Sequence, residues 1–547
     1  MRYLRQIKEL NQVEQWKLER HPLDVRDAVV DRYAREGPEA IKTVPGEVER
    51  LKWVGLYPQR QGGDAFMLRI KVPGGRLHAA QARVIGQVAD EFARGPAPNP
   101  VFGDAYLDIT TRQDIQLHWV RIGAVPEIWA RLEAVGMTTV QACGDSARNV
   151  LCCPVSGLDA DEVLDAHPVA QAVSDFFTGN REYANLPRKF KLSVTGCRED
   201  CAQAEINDIG LWPARRDDGR TVGFNVLVGG GLSDGPRMAS DIDVFVTPEP
   251  DRVVEVFRAI AQLFGELGNR ENRGLARMRY LVQELGPERF RAELASRAAF
   301  GLEPAGQALT RRYRGDHVGV HRQRQPGLHY VGLSVTVGRM EGRSLVEAAR
   351  LAGEYGDGGL RLATDQNLIL TGVPAGRVEA LLAEPLLATH SPTPGAFERG
   401  VVACTGNEFC RFAIVETKAR AATWARELDR RLGPDEAGGG IARMHFSGCP
   451  ASCAQPQIAD IGFRGETAHR DDQILEAVDI GLGGSLGTDA AFVDWVEGSK
   501  PVDEVPEALA ALLTRYRAQR RDGEAFHQWA RRLPNAELRA VLREGKP

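Results

Sequence analysis

With 547 residues, 43% of them apolar and 26% charged, the chain can bury cores for roughly two to four domains, which excludes a disordered or small disulfide-stapled protein. Its 69 Lys and Arg against 74 Asp and Glu leave a formal charge of −5, so no global positive field argues for nucleic-acid or membrane-surface binding. The first twenty residues mix both charge signs without an apolar block, and no later stretch supplies the roughly 18 apolar residues of a span; a soluble cytoplasmic protein is the expectation.

In chain order, FMLRIKV (66–72), YLDITTRQDIQLHWV (106–120), KFKLSV (189–194) and GFNVLV (223–228) alternate as strands do. LHAAQARVIGQVADEFAR (77–94), the long run 241–267 and SLVEAARLAGEY (344–355) carry helical spacing. Sections rich in Gly, Pro and Arg near 121–128 and 302–327 read as joints.

The chain also repeats itself. TGCREDCAQAEINDIGLW around Cys197 and SGCPASCAQPQIADIGFR around Cys449 share C-x3-C, Ala-Gln and an I-x-D-I-G tail, 252 residues apart. RNVLCC against RGVVAC, LVGGGL against GLGGSL, and ITTRQDIQL against LATDQNLIL fall at nearly the same offset. Two homologous halves follow, each with a smaller front and a larger back module, hence pseudo-twofold symmetry in a mixed α and β class. The expected division is 1–125, 126–305, 306–390 and 391–547.

The nine cysteines cluster, which in a reducing compartment points to metal rather than disulfides. In the second half Cys404 and Cys410 stand at C-x5-C and Cys449 and Cys453 at C-x3-C. Four thiolates suit a cubane iron–sulfur cluster; a tetrahedral zinc site or inert buried thiols are the alternatives. In the first half Cys197 and Cys201 keep the x3 spacing, but Cys152 and Cys153 are adjacent with no x5 partner, so Cys197 and Cys201 read as relics of duplication or packing residues, with a redox or metal role as the alternative. Cys143 reads as a small buried thiol, and the scattered histidines, His118 and His445 included, as groups satisfying core hydrogen bonds.

Together with the cysteine pairs, RLKWVGLYPQR (50–60), TTRQDIQLHW (110–119), LPRKFK (186–191) and LVGGGL (227–232) resemble the sirohaem-containing nitrite and sulfite reductase family over nearly the whole chain. The resemblance implies an α+β, internally duplicated fold in which two small ferredoxin-like half-modules and two larger α/β modules surround one site. It implies a [4Fe–4S] cluster on Cys404, Cys410, Cys449 and Cys453, with Cys453 bridging to a sirohaem, and a distal anion pocket of Arg112, Arg148, Lys189 and Lys191. Arg60, Asn149, Asn185 and Arg188 are further candidates for the sirohaem carboxylates.

Cationic donors are what a small anion consuming electrons and protons requires. Arg112 aligns with Asp365 of the second half, which fits one active site per chain, its cations from the first half and its cysteines from the second. Gly229, Gly230, Gly231, Gly483 and Gly484 suit close backbone approach to the macrocycle or to another strand. The implied reaction is six-electron reduction of nitrite to ammonia by a monomer, with reduced ferredoxin as electron donor; sulfite reduction is the alternative, favoured by Lys191. A corrin-precursor enzyme or a non-catalytic cofactor-binding protein is the alternative of another class. The basic runs 311–324 and 515–521 are candidate docking patches for an acidic donor.

Overall fold

Each copy of the repeat completes its small sheet with a strand taken from the other. In the computed structural model, which describes residues 10–233, 235–311, 316–434 and 442–545, the first sheet runs Leu56–Pro58, Phe66–Ile70, Ile115–Val120, Gly103–Ile109. The second runs Gly319–Arg322, Leu328–Leu333, Leu368–Pro374, Gly359–Leu362. Arg339–Glu341 of the second copy pairs antiparallel with Gly103–Ile109, and Arg76–His78 of the first pairs antiparallel with Gly359–Leu362. The helix after each exchanged strand, Ala79–Phe92 and Gly342–Tyr355, packs on its counterpart. That approach needs small residues: a Cβ on Gly86 would stand 2.5 Å from the Gly342 carbonyl oxygen.

One apolar core therefore serves both small modules, and Leu68, Leu107 and Ile115 share it with Leu333, Leu360 and Leu370. Helix Val125–Glu133 adds Val125, Ile128, Trp129 and Leu132 to it, so the section near 121–128 is not a joint, and the small-module core extends beyond the boundary expected at 125. Pro126 stands in the helix's first turn, where its missing N–H costs nothing; the sequence reading took a helix start for a break.

The larger modules share one topology. Strands Ala147–Cys152, Phe190–Val194 and Ile209–Arg215 run parallel and continue antiparallel into Val222–Val228 and Ser240–Val246. Val401–Ala403, Met444–Ser447 and Ile461–Arg470 likewise run parallel, then antiparallel into Gln473–Leu482 and Asp494–Pro501. Helices Pro250–Leu267 and Val505–Gln519 cover them with separate apolar cores. The run 241–267 is thus strand then helix, because Pro248 and Pro250 divide a β-branched stretch from the helical one. In the section 302–327, Gln307–Ala308 joins the first large sheet and Gly319–Arg322 the second small one, with 312–315 outside the described residues.

Two pairs of glutamines lock the copies at the pseudo-twofold. Gln113 Nε2 donates to the carbonyls of Cys152 (3.0 Å) and Leu362 (2.8 Å), while Gln366 Nε2 donates to those of Ala403 (3.1 Å) and Ile109 (2.9 Å). Gln203 and Gln455 hydrogen-bond each other across the interface (3.0 Å). A buried ion network does the same work with charge. The side chain of Arg339 grips Asp108 with Nε (2.7 Å) and Nη2 (3.0 Å) and reaches Glu408 with Nη1 (2.6 Å).

Removing one member of such a buried set strands the others in low dielectric. Arg339→Met is expected to lower unfolding free energy by about 3–5 kcal/mol, whereas Arg343→Met, at an exposed pair, is expected to leave it nearly unchanged. Urea unfolding of both variants measures the contrast.

Candidate functional site

Two neighbouring parallel strands bring the second-half cysteines together. Cys404 follows Val401–Ala403, and Cys449 and Cys453 follow Met444–Ser447, whose register sets Ala403 beside Phe446. Cys404 N–H donates to the Phe446 carbonyl (3.0 Å), and Gly448 N–H donates to Cys404 Sγ (3.2 Å). Cys404, Cys410 and Cys449 are half-buried and Cys453 is exposed. Burial and the other thiols push Cys404 up to about 12, and burial pushes Cys449 up to about 11; Cys410 moves the same way. Burial thus favours the protonated thiols, and a bound metal would supply the stabilisation their thiolates lack.

The loop from Cys404 to Cys410 is pinned to the first half. Glu408 accepts from Arg339, from the Tyr106 hydroxyl (2.8 Å) and from Asn99 Nδ2 (2.9 Å). Phe409 stacks on His118 with centroids 3.9 Å apart, and His118 in turn meets Asp108 at 3.0 Å, the core role expected of it. Arg60 donates its backbone N–H to the Phe409 carbonyl and its Nη1 to the Ala413 carbonyl (both 2.9 Å), bracing this loop.

The first half supplies a cationic wall. Arg112 sits in the loop between Gly103–Ile109 and Ile115–Val120, and Thr111 Oγ1 donates to the Cys453 carbonyl (2.9 Å), fastening that loop to the cysteine turn. Arg112 Nη1 donates to Asn207 Oδ1 (2.9 Å) and Nη2 to the Asn149 carbonyl (2.7 Å). Lys189 and Lys191 flank buried Phe190 and emerge on one face of strand Phe190–Val194. Arg148, half-buried, donates Nε to the Gly144 carbonyl (3.0 Å).

These cations repel one another. Burial, then Arg277 and Arg148, bring Lys189 down to about 7 despite Cys453. Burial, Arg112 and Lys189 hold Lys191 well below its ordinary value, and burial brings Arg112 down to about 10, with Arg148 adding to the shift and Asp114 opposing it. A wall that drives off its own protons suits an anion that restores the balance. The residues thus fit both a soft iron–sulfur ligand set and a polyanionic group above it.

The other expected contacts divide. Asn149 is fully buried and donates Nδ2 to the carbonyls of Val72 (2.7 Å) and Arg112 (3.0 Å), so it positions Arg112 instead of facing the cavity. Asn185 accepts from Arg270 through its backbone carbonyl (3.0 Å) and its amide oxygen (3.4 Å). Arg188 leans on Asp145 (3.5 Å). The glycine pairs serve backbone packing: Gly229 and Gly483, at φ 84° and 89°, donate to the Asp208 and Asp460 carbonyls (both 2.9 Å). A Cβ on Gly230 or Gly484 would stand 2.6 Å from a backbone oxygen.

Sequence reading missed Arg277, whose Nη2 meets both oxygens of Asp208 at 3.1 Å, and the group Tyr57, Arg69 and Cys143, where Arg69 Nη1 donates to Cys143 Sγ (2.8 Å). The signal for Asp208 lay in the repeated I-x-D-I-G: Asp208 accepts from Lys191 N–H (2.8 Å) as Asp460 accepts from Arg443 N–H (2.9 Å). Asn149→Ala is expected to lose about 1–3 kcal/mol of stability through the two carbonyls it abandons and to weaken anion affinity through a loosened Arg112. Unfolding and anion titration of the same variant separate the two effects.

Comparisons with known proteins agree with this geometry. A model described as the nitrite and sulphite reductase 4Fe-4S domain matches residues 143–301 and 395–546, and one described as the nitrite/sulfite reductase ferredoxin-like half domain matches 57–97, 101–135 and 321–388. The chain is 45% identical over 539 residues to an assimilatory ferredoxin-dependent nitrite reductase of Haloferax mediterranei, covering 94% of this chain and 90% of that protein. It is 36% identical over 557 residues to a ferredoxin sulfite reductase of Mycolicibacterium paratuberculosis, covering 97% and 96%. The solved structure of the Mycobacterium tuberculosis NirA protein superposes with a TM-score of 0.89 at 33% identity, covering 97% of this chain and 98% of that one.

Proposed function

This chain belongs to the nitrite and sulfite reductase family, and we propose that it reduces nitrite to ammonia with electrons from ferredoxin. The observation that carries the reading is the tie from Thr111 to the Cys453 carbonyl, which fastens the Arg112 loop to the cysteine turn. The greater identity to a nitrite reductase than to a sulfite reductase favours nitrite. Lys191, an additional buried amine beside Lys189, favours sulfite as the second reading.

Cys404, Cys410, Cys449 and Cys453 would hold a [4Fe–4S] cluster, and Arg148, Arg188 and Arg277, gathered with Cys453 around Lys189, would help hold a sirohaem. Such a pair, when bound, would supply single electrons to the anion. The chain's own residues do the rest. Arg112, held by Asn149 and Asn207, presents fixed donors to the anion's oxygens. Lys189, brought to about 7, stands where a general acid works at neutral pH, protonating oxygen as it leaves.

Electrons enter beside Cys410, where Phe412 is 81% exposed next to exposed Arg411 and Arg60. Among the described residues of the basic runs expected to dock the donor, Arg311 pairs with Asp161 and Glu199, Arg324 with Glu162 and Arg515 with Glu537; 312–315 lie outside them. No helix among the described residues is long and apolar enough to cross a membrane.

Anaerobic turnover with reduced ferredoxin tests the assignment. Arg112→Ala and Lys189→Ala are expected to keep the cofactor colour and lose at least a hundredfold in kcat/KM for nitrite, an effect of order 3 kcal/mol. Arg411→Glu is expected to raise KM for ferredoxin several-fold while turnover with a small dye reductant is unchanged. Full activity in the Arg112 and Lys189 variants would move the anion elsewhere, and a higher kcat/KM for sulfite would install the second reading.

A further inference from the structure

The mirror image of the proposed cluster site is itself a site. Cys153, Cys197 and Cys201, all buried, bring their sulfurs within 4.8 Å of one another. The pseudo-twofold defines this place. Thr364 Oγ1 donates to the Cys201 carbonyl (3.0 Å) as Thr111 does to that of Cys453, and Gln113 and Gln366 hold Cys152 and Ala403, the residues just before Cys153 and Cys404, in the same manner. The counterpart of the Cys410 loop, 154–159, carries no cysteine, and its Leu158 packs against the three thiols with Tyr330.

Two differences from the cluster site decide what could bind. The first is spacing: tetrahedral ligands at a zinc–sulfur distance of about 2.3 Å lie about 3.8 Å apart, so sulfurs this close suit a single ion, whereas a cubane spreads its thiolates over four irons. The second is charge. Where Arg112 stands in the cationic wall the mirror has Asp365, whose Oδ1 is buried without a hydrogen-bond partner. Asp316, Glu199 and Asp159 all act on the neighbouring His317. Asp316 is paired with Arg399, and Glu199 with Arg311 (2.9 Å), so the surroundings are acidic but structured. An acidic shell around thiols favours a cation, the opposite of the anion pocket. His317 has its Nε2 buried and without a partner, and its ring lies edge-on to Tyr330 at 6.4 Å.

We propose that Cys153, Cys197 and Cys201 form a second metal site for a single thiophilic divalent cation of the zinc class. The site ties the ends of strands Ala147–Cys152 and Phe190–Val194 together beside Tyr330 and Ile369, so it joins the first large module to the second small one.

The test uses the iron-replete enzyme, dialysed against metal-free buffer and titrated with zinc chloride against a chromophoric chelator, with X-ray absorption at the zinc edge. About one zinc per chain is expected, in a sulfur-dominated shell near about 2.3 Å. Cys197→Ala should weaken zinc binding at least tenfold while iron content and nitrite turnover hold. Zinc retained undiminished by Cys197→Ala, a disulfide among the three thiols, or no zinc uptake overturns the proposal. Should Cys197→Ala fail to fold, the wild-type absorption spectrum decides alone, because a shell of oxygen and nitrogen only is incompatible with the site.

Discussion

Buried cations that repel one another are the constraint on which this structure turns. Burial first, and then neighbouring cations, Arg148 and Arg277 among them, draw Arg112, Lys189 and Lys191 below their ordinary values. A fold tolerates that only if the frame is rigid and if something anionic relieves it. The frame is rigid because hydrogen bonds hold the arginines: Asn149 and Asn207 hold Arg112, the Gly144 carbonyl Arg148, and the Asp208 carboxylate Arg277. The relief is the anionic cofactor and substrate that the proposed function supplies. The same wall thus explains affinity, orientation and proton supply.

Duplication made the frame, and divergence at a few positions made the site. The two copies agree down to matching left-handed glutamines, matching Asp-to-backbone bonds and matching threonine-to-cysteine bonds. They differ at Arg112 against Asp365 and at Cys410 against the cysteine-free 154–159 segment. Those changes turn one pocket toward anions and four-iron chemistry, and its mirror toward a single cation. Strand exchange between the small modules makes the halves inseparable, so both pockets stand in one frame.

Much of this was legible in the sequence, and for a physical reason. Repeats are visible because both copies must satisfy the same backbone: the Asp of I-x-D-I-G binds a strand N–H in each half, and the glycines after it sit where a Cβ would meet a carbonyl. Strand Phe66–Ile70 alternates because one face is buried, whereas strands Gly103–Ile109, Ile115–Val120, Phe190–Val194 and Val222–Val228 are buried on both faces along most of their length. What spacing could not reveal is contact between distant segments. Arg339 meeting Asp108, Arg277 meeting Asp208, and Tyr57 and Arg69 beside Cys143 are products of the exchange and of chain return. Asn149 was read as a cofactor ligand because its position is right and its burial is invisible in sequence. Cys197 and Cys201 read as relics because their partner, Cys153, is adjacent to a decoy, Cys152, that packs in the core.

The proposed site is asymmetric: one iron site per chain, built from second-half thiols under first-half cations. Iron per chain in the purified holoenzyme, measured by plasma mass spectrometry, decides it. About five irons, four for a cubane and one for the haem, are expected. About nine would place a second cluster on Cys153, Cys197 and Cys201, and about one would remove the cluster from the second half; either result is incompatible with a single iron site of this kind.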